Sequence, residues 1–343
     1  MRPYLSWRAD LDGVPESTDS GRPCCAQRYA RSMKRGLIAA SAALLVAAAF
    51  APFALAWYAS ELFLRPAWYL EPREARVLRP SELVDPQASF GLGFEDVAFP
   101  AIDGSTLRGW FVPAARPTRT VIVTAHGGGS DRRSFLGLVP ALHAAGYPVL
   151  LFDCREHGLS DGEARGMSLG MRESADLVSA LDFLEARGSD SYAALGSSQG
   201  ASSVILAAAV DERIQAVVAQ GTGTTLYEMM RANARLEPLP DWWVRLFERT
   251  VVWRTGPPWH DVVADGPNPI DAIGRITPRA VLLIQGSEDE MAPVEQAREN
   301  FRRAGEPKEL WIVKGARHND LRDVAGPEYE RRVLAFLLRH SPP

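Results

Sequence analysis

A serine hydroxyl stands between two glycines in Gly196-Ser197-Ser198-Gln199-Gly200, and a carboxylate and an imidazole follow it along the chain. The carboxylate is Asp289, in Gly286-Ser287-Glu288-Asp289, and the imidazole is His318, in Gly315-Ala316-Arg317-His318. A free serine hydroxyl is a poor nucleophile. It needs a base to take its proton, a group to orient that base, and donors for the oxyanion. Ser198 is the candidate nucleophile, His318 the candidate base and Asp289 the candidate orienting carboxylate, a set suited to acyl transfer. Ser197 is read as a buried neighbour. Glu288 and Glu290 compete with Asp289, and either is equally readable as a solvated loop charge.

Gly-x-Ser-x-Gly alone is a weak signal, and its setting strengthens it. Tyr192 to Leu195 is a short apolar run and Ser202 to Val210 has a helical pattern, so Ser198 falls on a strand–turn–helix elbow. The helix that follows directs its positive end at the developing anion. Upstream, His126-Gly127-Gly128-Gly129-Ser130 follows the apolar run Thr120 to Ala125. Consecutive glycines let backbone N–H groups approach an anion, although a merely flexible turn has the same composition. The Gly128 and Gln199 N–H groups are the expected oxyanion donors. Among the other histidines, His143 lies on an amphipathic pattern, His340 near the end, His260 in an insert, and His126 and His157 in loop motifs. Only His318 completes the order Ser, Asp, His after the last strand. No metal-ligand spacing is present, and no metal or organic cofactor is expected.

The elements that must position these residues are short apolar runs: Thr120 to Ala125, Val149 to Phe152, Tyr192 to Leu195, Ala216 to Ala219, Ala280 to Ile284 and Leu310 to Val313. Such runs suit strands buried on both faces of a parallel sheet. Helical patterns separate most of them: Arg132 to Ala145, Met171 to Arg187, Ser202 to Val210, Val294 to Ala304, and a last one from about Pro327 to Arg339. A hairpin, Phe94 to Phe99 with Leu107 to Val112, precedes them. The fold class is therefore α/β, with a mostly parallel central sheet and helices on both faces. Residues 222 to 275 separate two strands by more than an ordinary connection and contain Met229, Met230, Trp242, Trp243, Trp253 and Trp259. They read either as a helical cap over the site or as an aromatic satellite core.

Before this domain, Leu37 to Tyr58 carries no charge and no polar face. As a helix it would extend roughly 33 Å, enough to cross a bilayer. Residues 36 to 59 are thus expected to form a transmembrane anchor, with Trp57, Tyr58, Trp68 and Tyr69 at an interface. Arg22, Arg28, Arg31, Lys34 and Arg35 precede it, against only Arg65 and Arg73 with Glu61 and Glu71 just after it, which predicts a cytoplasmic N-terminus and an exported catalytic domain. The rival is a signal peptide cleaved near Ala54-Leu55-Ala56, after a second start at Met33. Residues 1 to 35 are expected to be a disordered basic segment, residues 60 to 89 a connector, and residues 90 to 340 the catalytic domain.

Net charge is −4 with scattered basic residues, which gives no case for a nucleic-acid partner. The 3 cysteines cannot make a disulfide framework. Cys24 and Cys25 adjoin the anchor, but no acylation consensus surrounds them. Nothing in the sequence fixes an oligomeric state.

Taken together, the His126 glycine loop, Asp153-Cys154-Arg155-Glu156-His157-Gly158, the Ser198 elbow, Gly286-x-x-Asp289 with Pro293, and Gly315-x-x-His318 resemble the α/β-hydrolase superfamily. Within it the chain is similar to bacterial membrane-anchored hydrolases related to serine aminopeptidases and monoacylglycerol lipases. The resemblance covers about residues 90 to 340. Glu156 and His157 depart from it, since Gly and a variable residue usually precede Gly158; Asp153 and Arg155 are read as structural. It implies an acyl-enzyme mechanism on a small-molecule or lipidic acyl ester. An aminopeptidase or amidase is the second reading, and a silent binding module on a membrane anchor is a third.

Overall fold

The structure is a computed structural model, which describes residues 25–70, 83–116, 118–233, 238–256 and 268–343. Eight strands form one sheet: β1 (Glu95–Pro100), β2 (Thr106–Val112), β3 (Thr120–Ala125), β4 (Val149–Asp153), β5 (Ser191–Ser197), β6 (Ile214–Gln220), β7 (Ala280–Gly286) and β8 (Lys308–Val313). Their order is β1-β2-β4-β3-β5-β6-β7-β8. β2 runs antiparallel to both β1 and β4, and every pairing from β4 to β8 is parallel. β3, β4 and β7 are buried along their whole length, because helices cover both faces of the sheet.

Side-chain alternation divides the core into two layers. Val121 and Val123 of β3 and Leu283 of β7 join one layer, with Leu177 and Leu181 of helix Met171–Glu185 and Val204 and Ile205 of helix Gln199–Ala208. Ile122, Leu282 and Ile284 join the other, with Leu142 and with Val333, Phe336 and Leu337 of helix Pro327–His340. Three details depart from the sequence-based expectation. Arg132–Leu138 is a 3-10 turn, and the α-helix after it is only Val139–Ala144. The helix after Ser198 begins at once, at Gln199. Ser197, expected to be buried, is partly exposed at the end of β5.

The N-terminal helix runs from Cys25 to Leu64, past the expected limits on both sides. Residues 25 to 35 are therefore helical rather than disordered, and the connector does not begin at residue 60. The helix continues because no Gly or Pro interrupts residues 53 to 64, and the charges at its end find partners, as shown below. Its segment Arg28–Leu64 is long and apolar enough to cross a membrane. Residues 53–343 form one compact unit and residues up to Pro52 another. Further along the connector, Pro86–Phe90 is a short helix with Asp85 as its N-cap; residues 71–82 lie outside the described residues.

Between β6 and β7 the described part of the insert forms helices Leu226–Asn233 and Asp241–Thr255 and, at its end, the short turns Pro269–Ala272 and Ile273–Ile276. Met230, Trp243, Val244, Phe247 and Val251 are buried in the same cluster as the sheet core, so this is no separate satellite core. Trp242 and Trp253 are exposed. Trp259 and His260 lie outside the described residues.

Candidate active site

The strand register brings the site together. β3 and β5 pair from Thr120–Ser191 to Ala125–Gly196, so the chain leaves both strands at one level. The His126 loop and Ser198 thereby become neighbours. Ser198 has φ 53 and ψ −117, a strained conformation for a residue with a side chain. Two glycines permit it. A Cβ on Gly196 would overlap the Gly200 carbonyl, and one on Gly200 would overlap the Ala125 carbonyl. The Ser198 N–H donates to the Gln220 carbonyl at 2.8 Å, which fastens the elbow to β6.

β7 and β8 end level with each other, Gly286 opposite Val313. The loops that leave them carry the other two groups. His318 Nε2 lies 2.8 Å from Ser198 Oγ, and His318 Nδ1 lies 2.8 Å from Asp289 Oδ2. An ionised carboxylate only accepts, so Nδ1 carries the proton and Nε2 is left to accept from the serine hydroxyl. Asp289 is buried, and its Oδ1 accepts from the Met291 and Ala292 N–H groups at 2.9 and 2.8 Å. Glu288 and Glu290 are exposed, as solvated loop charges are.

Gly128 and Gln199 border the same cavity as Ser198 and His318. Among the described residues no backbone carbonyl takes up the amide N–H of either, which leaves both able to donate to an anion. The glycine loop is fixed from behind. Cys154 N–H donates to His126 Nε2 at 3.0 Å, and His126 Nδ1 contacts the Gly127 carbonyl at 2.8 Å. Asp153 receives Arg132 through its backbone N–H at 2.8 Å and its guanidinium at 2.5 Å. Arg155 is wholly buried between Asp176 and Asp103, each 2.6 Å away. Both residues are far from free and act as framework.

Gln285 has no counterpart in the sequence reading. It is buried in β7 and its Nε2 donates to Asp289 Oδ2 at 2.6 Å. Standing at the end of an apolar run, it gave no signal except polarity in a buried strand. Also missed were the cavity walls. Met167 and Leu169 come from the loop before helix Met171–Glu185, Met229 from the insert, and Met291 from the loop after β7. Leu62 and Phe63 come from the end of the N-terminal helix and Pro66 from the chain just after it. The cavity measures about 290 Å³, and none of the described residues around it is an Asp, Glu, Lys or Arg.

Comparison with known proteins agrees with the fold. A family model described as the alpha/beta hydrolase fold matches residues 120–280. The chain is similar to the polyketide transferase ATR5 of Stachybotrys chlorohalonatus, 26% identical over 71% of this chain and 97% of that protein. It is also similar to the uncharacterized protein YfhR of Escherichia coli K12, 26% identical over 71% of this chain and 80% of that one. Among solved structures, the Pyrococcus furiosus esterase Pf2001 superposes with a TM-score of 0.60 at 24% identity, covering 77% of this chain and 98% of its own. The region matched by the family model holds the glycine loop and the elbow, and the chain has the α/β-hydrolase fold.

Proposed function

We propose that the protein is a serine hydrolase of acyl esters, held to a membrane by its N-terminal helix with the catalytic domain exported. The observation that carries the reading is the continuous hydrogen-bonded line from Ser198 Oγ through His318 to buried Asp289, opening on an apolar cavity. Ser198 attacks the ester carbonyl while His318 Nε2 takes its proton, and Asp289 stabilises the imidazolium. The Gly128 and Gln199 amides hold the oxyanion. His318 then protonates the leaving alcohol, and water, deprotonated by the same imidazole, releases the acid and restores Ser198.

The cavity's composition favours esters over aminoacyl amides. An aminopeptidase must hold a substrate ammonium, and burying a cation without a partner is costly. Among the described residues the wall of this cavity offers no carboxylate for it; Glu288, Glu290 and Asp320 stand instead around a second cavity, which shares Met291 and His318 with the first.

A fluorophosphonate probe and a chromogenic ester series test the reading on wild type, Ser198→Ala and His318→Ala. Wild type should label and turn over esters, and both variants should lose roughly 10³-fold or more in kcat/KM. Labelling that is identical in wild type and Ser198→Ala would refute it, and turnover of amides alone would move the substrate class. Protease protection in spheroplasts checks the topology: an exported domain is digested from outside.

A further inference from the structure

We infer that the last turn of the membrane-anchor helix and the residues just after it are a specificity element of the catalytic site, and that Leu62, Phe63 and Pro66 seat the hydrocarbon chain of a medium- to long-chain acyl ester. The inference rests on the ester-hydrolase reading and extends it to the length of the acyl group.

Residues 53–343 form one unit, so this part of the helix belongs to the catalytic body. Leu62, Phe63 and Pro66 line the cavity that Ser198 and His318 open into. They share the cavity wall with Met167, Met229 and Met291, three unbranched and polarizable side chains. Methionines adapt their shape to an apolar guest. A polar or charged acyl group would find little to bind there, whereas a hydrocarbon chain would be driven in by the removal of its surface from water.

The wall is held firmly. Leu64 is buried, and its carbonyl accepts from the Met167 N–H at 3.0 Å. That approach requires Gly166, at φ +82, because a Cβ there would overlap the Leu64 carbonyl. On the other side Arg254, from insert helix Asp241–Thr255, donates to Ser60 Oγ at 2.8 Å, pairs with Glu61 and covers the Trp57 ring at 4.5 Å. Phe63 meets Phe247 edge-on at 5.7 Å. Two separate segments of the hydrolase thus grip the helix end. Leu62, by contrast, is 56% exposed while bordering the cavity, so its size can change without disturbing a packed core.

The test compares wild type, Leu62→Trp and Leu62→Ala, each full-length in phosphatidylcholine vesicles, with p-nitrophenyl esters from acetyl to dodecanoyl. The ratio of kcat/KM for decanoyl over acetyl ester should fall tenfold or more in Leu62→Trp, and the longest esters should gain relative to acetyl in Leu62→Ala. Rates of Ser198 labelling by ethyl fluorophosphonate, measured alongside, separate the two layers of the argument. Proteins that label while all three chain-length profiles superimpose overturn the role given to the helix end and leave the hydrolase reading standing. A wild type that neither labels nor turns over any ester overturns the hydrolase reading, and this inference with it.

Discussion

Asp289 accepts from the Met291 and Ala292 amides on one oxygen and from Gln285 and His318 on the other. The two amides fix where the carboxylate sits, and the Gln285 donor fixes the lone pair that faces the imidazole. Asp289→Asn would place an N–H₂ or a weaker acceptor against Nδ1, favouring the tautomer in which Nε2 carries the proton and cannot act as base. A fall in kcat of about 10⁴-fold is expected for that change. Gln285→Met keeps the volume and removes one donor from Oδ2, with the backbone amides still holding Oδ1. One hydrogen bond to a charged group is worth about 1.5 kcal/mol or more, so kcat should fall about tenfold with KM little changed. Steady-state kinetics on an acetyl ester measures both, and a Gln285→Met enzyme with wild-type kcat would deny Gln285 any positioning role.

At the scale of elements, the loop from Asp153 to Gly170 ties the N-terminal helix to the sheet, and Glu156 is its clasp. Glu156 stands where the family resemblance leads one to expect glycine, and its φ of 61 shows why glycine is common there. Its carboxylate accepts from the Arg165 and Gly166 amides at 2.8 and 2.7 Å and from Tyr69 Oη at 2.7 Å. Glu156→Gly would relieve about 1 kcal/mol of backbone strain and forfeit charge-assisted bonds worth about 1.5 kcal/mol or more each. The three bonds outweigh the strain, so the variant should be less stable by about 3.5 kcal/mol, read from urea denaturation. A more stable Glu156→Gly would mean that strain dominates. This clasp was illegible in the sequence, where Glu156 is only a departure from a pattern. The same holds for the helix end: Glu61 and Arg65 look like the start of a solvated connector, because Glu61's partner Arg254 lies far away in sequence. The strands were legible for the opposite reason. Burial on both faces leaves a continuous apolar run, and Ser198, Asp289 and His318 stand just beyond three such runs, where ligands of open α/β sheets gather.

Across the whole molecule, the loops at the C-terminal ends of the strands rest on a buried polar layer, and that layer makes stability depend on pH. His157 is buried and packs against His126 with ring centroids 4.9 Å apart. Burial, and next the neighbouring His126, bring its pKa down from 6.5 to about 4. In the unfolded chain the same imidazole takes up a proton as the pH falls through about 6.5, while the folded protein takes it up only near pH 4. Between these values the unfolded state binds more protons, so acidification favours unfolding throughout that window and adds nothing below it. The full interval corresponds to about 3 kcal/mol of lost stability. His157→Asn retains a donor for the Arg155 carbonyl, which His157 Nδ1 meets at 2.8 Å, and removes the titration. The variant should be less stable than wild type at pH 7.5, and the gap should narrow steadily toward pH 4.5 in thermal unfolding followed by circular dichroism. Parallel stability curves for the two proteins over that range would show that His157 does not titrate between the folded and unfolded states, and that the acid sensitivity of the fold has another source.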